Sequence, residues 1–295
     1  HNRAELEEAV KVLNFPVILK AVDLMGSRGI FRCDTKEEVF THYADTMNAT
    51  GKDYCLLEEF IEGTMLGCEA MLSKGKLLYC LPNNIENYPA HVPTPIGHSV
   101  PYKKQDTLGE EVQKQVLLAI QALGMDNCPV NCDLMEKDGK IYVIEITGRA
   151  GGNCLPEMVG IYYGIDYYEA IVRLAMDMQA EELFQDQKNR FQNAAQRKCG
   201  ERPENTDGNL NRVTPNLSHI LTSDRDGILK AIHNDNEASP DLLDLSFNVE
   251  PGEEIRHYEN GRDRLGQVII CGETLDACEQ RLNEVLSKLN IEFIS

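Results

Sequence analysis

Hydrophobic and polar positions change their period several times along the chain, and each change marks an element. Apolar residues at helical spacing in Ala4 to Leu13 predict a helix, and the run Pro16 to Val22 (PVILKAV) predicts a strand ending in the loop Asp23 to Gly29 (DLMGSRG). Ile30 to Cys33 reads as the returning strand. Thr35 to Asn48 reads as a helix, with Thr35 as N-cap and Glu38 completing a capping box. Tyr54 to Phe60 and Cys68 to Leu81 are strand-like, the second turning at Ser73-Lys74-Gly75, whereas Asn83 to Gly97 is rich in Pro, Asn and His and reads as a loop. Thr107 to Leu123 is helical and stopped by Gly124; a helix from Leu155 to about Met178 contains Gly160 and Gly164, so a break near Tyr163 is expected. From Gln179 to Asn216 the apolar periodicity fades into Gln, Asn, Arg, Glu and Lys, which predicts a polar helix and then a linker. Beyond it, Leu217 to Thr222, Gly227 to Asn234, Leu242 to Val249, Gln267 to Gly272 and a final helix Leu275 to Leu289 predict a small α+β unit.

Between the helices lies the segment with the clearest chemistry. Pro129 to Gly152 places two acids, Asp133 and Glu145, on the arms of one expected β-hairpin. Side chains alternate along a strand, so the turn decides whether the acids share a face. A two-residue turn at Asp138-Gly139 pairs Lys137 with Lys140 and sends them to opposite faces. A three-residue loop, Lys137-Asp138-Gly139, sets Asp133 opposite Val143 and Glu145 opposite Asn131, so that the acids lie diagonally on one face, roughly 7–8 Å apart at the backbone. In that register they converge on one or two divalent ions. Glu145 also interrupts the apolar run Ile141 to Ile144, where a carboxylate is costly without a cation. The competing reading is a half-exposed hairpin whose acids face water.

Composition narrows the partners. The chain has 295 residues, 42% of them hydrophobic, enough for a core and more than one lobe. Lys and Arg number 29 against 48 Asp and Glu, a net charge of −19, which disfavours general nucleic-acid binding but not an anionic nucleotide in a locally basic cleft. No run has the length of a membrane span, and the acidic amphipathic start is unlike a signal peptide, so a cytoplasmic protein is expected. The ten cysteines form no paired CxxC spacing, which argues against zinc and for free thiols in a reducing compartment. Position 1 is His rather than Met, so a trimmed chain or a domain is expected.

Two further motifs matter in combination. Lys20 ends an apolar strand before a loop in which Gly26 and Gly29 let backbone N–H groups approach phosphate oxygens; alone, such a lysine is more often structural, and the order of Lys and glycines is not that of a Walker A loop. LLEEFIEG, Leu56 to Gly63, taken alone reads equally as an edge strand with solvated acids.

In the order lysine and glycine loop, acidic-aromatic strand, acid hairpin closing in EITGRAGG, the first 175 residues or so resemble the ATP-grasp superfamily of ligases. The resemblance implies an α+β architecture, an ATP-grasp fold of two α+β lobes (about 1–60 and 61–180) that hold ATP between them, then a polar helix and linker (181–216) and a small C-terminal α+β domain (217–295). It implies that Lys20 binds ATP phosphates, that the loop with Gly26, Ser27 and Gly29 closes over them, and that Glu58, Glu59, Phe60 and Ile61 read adenine. Glu69 would be the acid near the ribose, although many relatives carry that acid at the position of Met65. Asp133 and Glu145 would be the magnesium (or manganese) ligands. EITGRAGG and the segment after it are similar to ligases that join a carboxylate, such as an amino acid, to an amine. There Arg149 would hold the carboxylate or acyl phosphate, and Gly151 and Gly152 would offer N–H groups to an oxyanion. A salt bridge from Arg149 to Glu157 is the plainer alternative.

The pattern departs from relatives at Thr147, where many have Asn in E-x-N-x-R, and relatives carry an earlier lobe with another phosphate-binding lysine, so a separate or upstream lobe is an expected partner, as is a homodimer. His91 and His98 read as loop histidines, and Arg264 as a turn residue. Two other functions stay open: a bicarbonate-using enzyme like biotin carboxylase or carbamoyl-phosphate synthetase, and a non-catalytic nucleotide-binding module.

Overall fold

The computed structural model describes residues 1–24, 28–89, 94–184 and 213–294. Gly26, Ser27, His91 and most of the expected linker lie outside the described residues. The chain forms two compact units, one of residues 1–62, 87–95 and 258–263, the other of 63–86, 96–257 and 264–295.

In the first unit, helix α1 (Arg3–Val12) starts at Asn2, whose side chain accepts the Glu5 N–H, and buries Leu6 and Val10, four residues apart. Strand β1 (Val17–Lys20) alternates buried Val17 and Leu19 with half-buried Ile18 and Lys20. It is the centre of an antiparallel sheet, flanked by β2 (Ile30–Cys33) and β3 (Leu56–Glu59). Helix α2 (Lys36–Ala49) begins as expected at Thr35, which accepts the Glu38 N–H, while the Glu38 side chain reaches back to the Asp34 N–H at 2.8 Å. Leu6, Val10, Val17, Leu19, Cys33 and Val39 form the core.

The second unit is built on an eight-stranded sheet. Its strands are β4 (Thr64–Ser73), β5 (Lys76–Tyr88), β6 (Thr94–Val100), β7 (Pro129–Lys137), β8 (Lys140–Thr147), β9 (Asn216–Leu221), β11 (Leu242–Phe247) and β13 (Gly266–Cys271). They run in the order β11-β13-β9-β6-β5-β4-β7-β8. A separate three-stranded sheet joins β12 (Glu254–Ile255), β10 (Gly227–Asn234) and β14 (Leu289–Phe293). One face of the large sheet packs Leu66, Cys68, Ala70, Cys132 and Leu134 against Val112, Val116 and Ile120 of α3 (Gln105–Leu123), which ends at left-handed Gly124. The other face packs Met71, Tyr79 and Leu81 against α4 (Leu155–Tyr163) and α5 (Tyr167–Ala175), which meet at left-handed Gly164, the break expected near Tyr163. Farther along the C-terminal segment, α6 (Leu275–Ser287) buries Cys278, Leu282 and Val285.

Three expectations change. Asn83 to Gly97 is not one loop, because β5 runs to Tyr88 and β6 starts at Thr94. Asn83, Asn84 and Asn87 are strand residues, and the Asn84 amide donates to the carbonyls of Ser99 and Pro101. The last helix stops at Ser287 and the chain continues as a strand, β14, whose pattern is too short to separate from a helix end. Eight cysteines are free thiols, but Cys271 is not. Among the described residues no helix is long and apolar enough to cross a membrane.

Candidate active site

On β7 the even positions Val130, Cys132 and Leu134 go under α3, so the odd positions Asn131, Asp133 and Met135 line the opposite face. Of the two possible turns into β8, the structure has the two-residue one. Lys137 pairs with Lys140 across Asp138 and Gly139, both with left-handed φ (53° and 76°), the two-residue form that suits an Asp-Gly pair. That turn alone would put the acids on opposite faces. A bulge between Asp133 and Leu134 in the pairing adds one residue to β8, so Leu134 pairs with Val143 and Asp133 pairs directly with Glu145. The acids therefore share a face, directly opposite rather than diagonal.

Their electrostatics reflect the crowding. Burial, and then the neighbouring Glu145 carboxylate, push the Asp133 carboxyl up to about 6 against the pull of Arg149. Among the described residues no group of three or more His, Cys, Asp and Glu side chains could hold a metal ion. Two carboxylates that form no salt bridge fit a hard cation that draws its remaining oxygens from phosphate and water, as magnesium does.

Across the ladder on β4, Gly67 pairs with Asp133 and Glu69 pairs with Asn131. Glu69, expected near a ribose, has a buried side chain. It is 1% exposed, its Oε1 accepts from Asn131 Nδ2 at 2.7 Å, and its Oε2 accepts from the Gly151 N–H at 3.2 Å. Burial pushes its carboxyl up to about 8. A Cβ at Gly151 would lie 2.6 Å from Glu69 Oε1 and 2.4 Å from Leu155 Cδ1, so only glycine lets the loop approach this closely. Gly151 thus spends its N–H on Glu69 and has none for an oxyanion, whereas Gly152 is exposed with open space around it. Arg149 is exposed, donates to the Ala150 carbonyl at 2.7 Å, and meets no carboxylate among the described residues; Glu157 instead accepts the Tyr168 hydroxyl.

His98 is not a surface loop residue. It sits on β6, 7% exposed, with Nδ1 2.9 Å from Asn83 Oδ1. Burial lowers its imidazole to about 4, so it is neutral at physiological pH. The Asn83 amide lies over Gly67, where a Cβ would come within 2.6 Å of it, and its Nδ2 has no hydrogen-bond partner. The Pro-, Asn- and His-rich composition of this segment predicts a loop and so hides the pair; in the ladder His98 stands opposite Ser218 of β9. Asn131 is a further polar residue on the face of Asp133, and its spacing of two from that acid is the signal. Arg264 is exposed and irregular, just before β13.

In the first unit, Lys20 Nζ lies 2.5 Å from Glu58 Oε2, and Gly29, at φ 68°, accepts the Ala21 N–H at its carbonyl. Glu59 accepts both the backbone N–H and the amide of Asn14, and the Phe60 ring lies under the Arg32 guanidinium at 4.6 Å while its N–H bonds the Pro16 carbonyl. Ile61 follows, half-buried. Asp23, not anticipated, ties the lysine loop to the end of α2 by accepting from Thr50 Oγ1 and the Gly51 N–H.

Two family models match: an ATP-grasp domain over residues 13–157 and an L-amino acid ligase C-terminal domain 2 over residues 219–293. The crystal structure of a phosphoribosylglycinamide synthetase from Anaerococcus prevotii is 35% identical, covering 99% of this chain and 68% of that one, with a TM-score of 0.72. The chain belongs to the ATP-grasp family. An L-amino acid ligase from Bacillus licheniformis shares the ATP-grasp fold at 18% identity and a TM-score of 0.74, over 96% of this chain and 64% of that one. The uncharacterized protein y4rH of Sinorhizobium fredii (strain NBRC 101917 / NGR234) is 22% identical over 297 residues, 97% of this chain. The chain spans 55% of that relative's length.

Proposed function

We propose that this ATP-grasp chain serves an ATP- and magnesium-dependent ligase that joins a small carboxylate, of amino-acid type, to an amine through an acyl phosphate. The observation that carries the reading is the same-face pairing of Asp133 and Glu145 beside the exposed Arg149.

Bound magnesium, or manganese in its place, would neutralise triphosphate charge, and Asp133 and Glu145 are the side chains that would hold it. Lys20 would take nucleotide phosphate oxygens once it leaves Glu58. Arg149 would hold the substrate carboxylate in line, since a planar guanidinium makes two parallel contacts. A carboxylate oxygen attacks the γ-phosphorus, the bond to the bridging oxygen breaks and ADP leaves. The amine lone pair then attacks the acyl carbon, phosphate departs with its oxygen, and the amine loses a proton. The Gly152 N–H is the backbone donor left for the oxyanion of that second step.

The similarity to a phosphoribosylglycinamide synthetase favours glycine and a phosphoribosyl amine as the pair, while the match of residues 219–293 to an L-amino acid ligase domain favours two amino acids. ADP release, measured on the full-length protein with magnesium across pairs of amino acids and with glycine plus phosphoribosylamine, separates them. Release that needs bicarbonate, or none with any pair, overturns the carboxylate–amine reading.

A further inference from the structure

Two carboxylates are few ligands for an ion, and the same face of the sheet offers one more oxygen. Asn131 stands two residues before Asp133 and directly opposite Thr147 in the ladder. Its Nδ2 donates to Glu69 Oε1 at 2.7 Å, and its Oδ1 has no hydrogen-bond partner among the described residues. An amide has one acceptor end and one donor end, so committing Nδ2 to Glu69 turns Oδ1 away from Glu69. Glu69 itself is pinned, being buried and holding the Gly151 N–H through its other oxygen.

We infer that Asn131, oriented by Glu69, supplies a neutral oxygen that completes an Asp133, Glu145 and Asn131 ligand set for magnesium. The inference rests on the metal site proposed above. Magnesium binds few protein ligands and favours hard oxygens, and an amide oxygen adds one without further like-charge repulsion beside Asp133 and Glu145. Glu69 is then a positioning residue: it touches neither ion nor substrate, and it couples the orientation of Asn131 to the glycine loop at Gly151. Thr147, whose Oγ1 lies 3.5 Å from the Asn131 carbonyl, is the place from which an amide could substitute, because it faces the same acids from the other strand.

The test is binding of Mn²⁺ to the full-length protein with a non-hydrolysable ATP analogue, followed by the electron paramagnetic resonance of the free ion. Asn131→Ala is expected to weaken Mn²⁺ binding about tenfold, and Glu69→Gln by a similar factor, as for lost supporting groups around a metal. Adding Thr147→Asn to Asn131→Ala should recover most of the loss, which a packing role for Asn131 does not predict. Unchanged binding in Asn131→Ala, or a loss that Thr147→Asn leaves unrepaired, overturns the inference. If circular dichroism shows that the alanine variant does not fold, Asn131→Ser with and without Thr147→Asn gives the same comparison. Glu145→Gln distinguishes the two levels: loss of Mn²⁺ there with full binding in Asn131→Ala sinks only this inference, while full binding in both sinks the metal site itself.

Discussion

Lys20 with Glu58 in one compact unit, and Asp133 with Glu145 in the other, are both pairs of charged side chains on neighbouring strands, yet they stand in opposite electrostatic positions. The lysine has its counter-ion at 2.5 Å, so an anionic ligand must compete for it. The two acids face each other without a salt bridge, and burial and Glu145 hold the Asp133 carboxyl up at about 6 despite the Arg149 guanidinium. A satisfied pair gains little from a ligand, whereas a crowded like-charge pair gains from any cation that enters. Of the two, the hairpin is therefore where the fold itself asks for a ligand.

Removing one acid should break that contrast most. Glu145→Gln is expected to cut magnesium-dependent ADP release below about one-hundredth of wild type, more than the tenfold to hundredfold typical of a supporting residue. It should leave the melting temperature equal or higher, since a repulsion is relieved rather than a bond lost. Retained turnover would place the metal elsewhere. Lys20→Ala comes next: losing a charge-assisted contact to phosphate should raise the ATP KM by about 10–100-fold, read from steady-state rates at saturating co-substrates. An unchanged KM would make Lys20 a structural partner of Glu58 only.

What the sequence disclosed about these regions differs in kind. The strand β1, its lysine and the cap at Thr35 follow from local chemistry and appear where expected. The shared face of Asp133 and Glu145 was also expected, but through the wrong device. The sequence reads Asp138-Gly139 without saying that a bulge at Ile144 corrects the parity of a two-residue turn, because a bulge is a property of the pairing and not of either strand alone. Glu69 is the same lesson at longer range. The resemblance sets it near a ribose, and only the packing of Asn131 and Gly151 around it shows that the carboxyl is buried. His98 needed the β6–β9 register to be placed at all.

His98 adds a third answer to the problem of a charge in a confined place, since it gives up its proton instead of finding or awaiting a partner. Its imidazole is lowered by burial to about 4, whereas a histidine in the unfolded chain titrates near 6.5. Above the unfolded value neither state carries the proton and the contribution to stability is constant. As pH falls from about 6.5 towards 4, the unfolded chain takes up a proton that the folded one refuses, so stability declines across that window, by on the order of 3 kcal/mol at its lower end. Urea unfolding between pH 7 and 4 should show this slope in the wild type and a shallower one in His98→Gln. Parallel slopes would mean that His98 is protonated, and so solvated, in the folded protein.

The smallest effect sharpens the opening contrast from its satisfied side. Glu58 is nearly half exposed, so its attraction for Lys20 is screened and is worth no more than about 1 kcal/mol. If Lys20 must leave Glu58 to meet a phosphate, Glu58→Gln frees the ammonium beforehand, and the nucleotide should bind up to about fivefold more tightly, with the gain shrinking as salt rises. Were Glu58 instead needed to aim Lys20, the same substitution would weaken binding. The sign of a change in nucleotide Kd, measured by calorimetry at two ionic strengths, therefore decides whether this ion pair restrains the lysine or presents it.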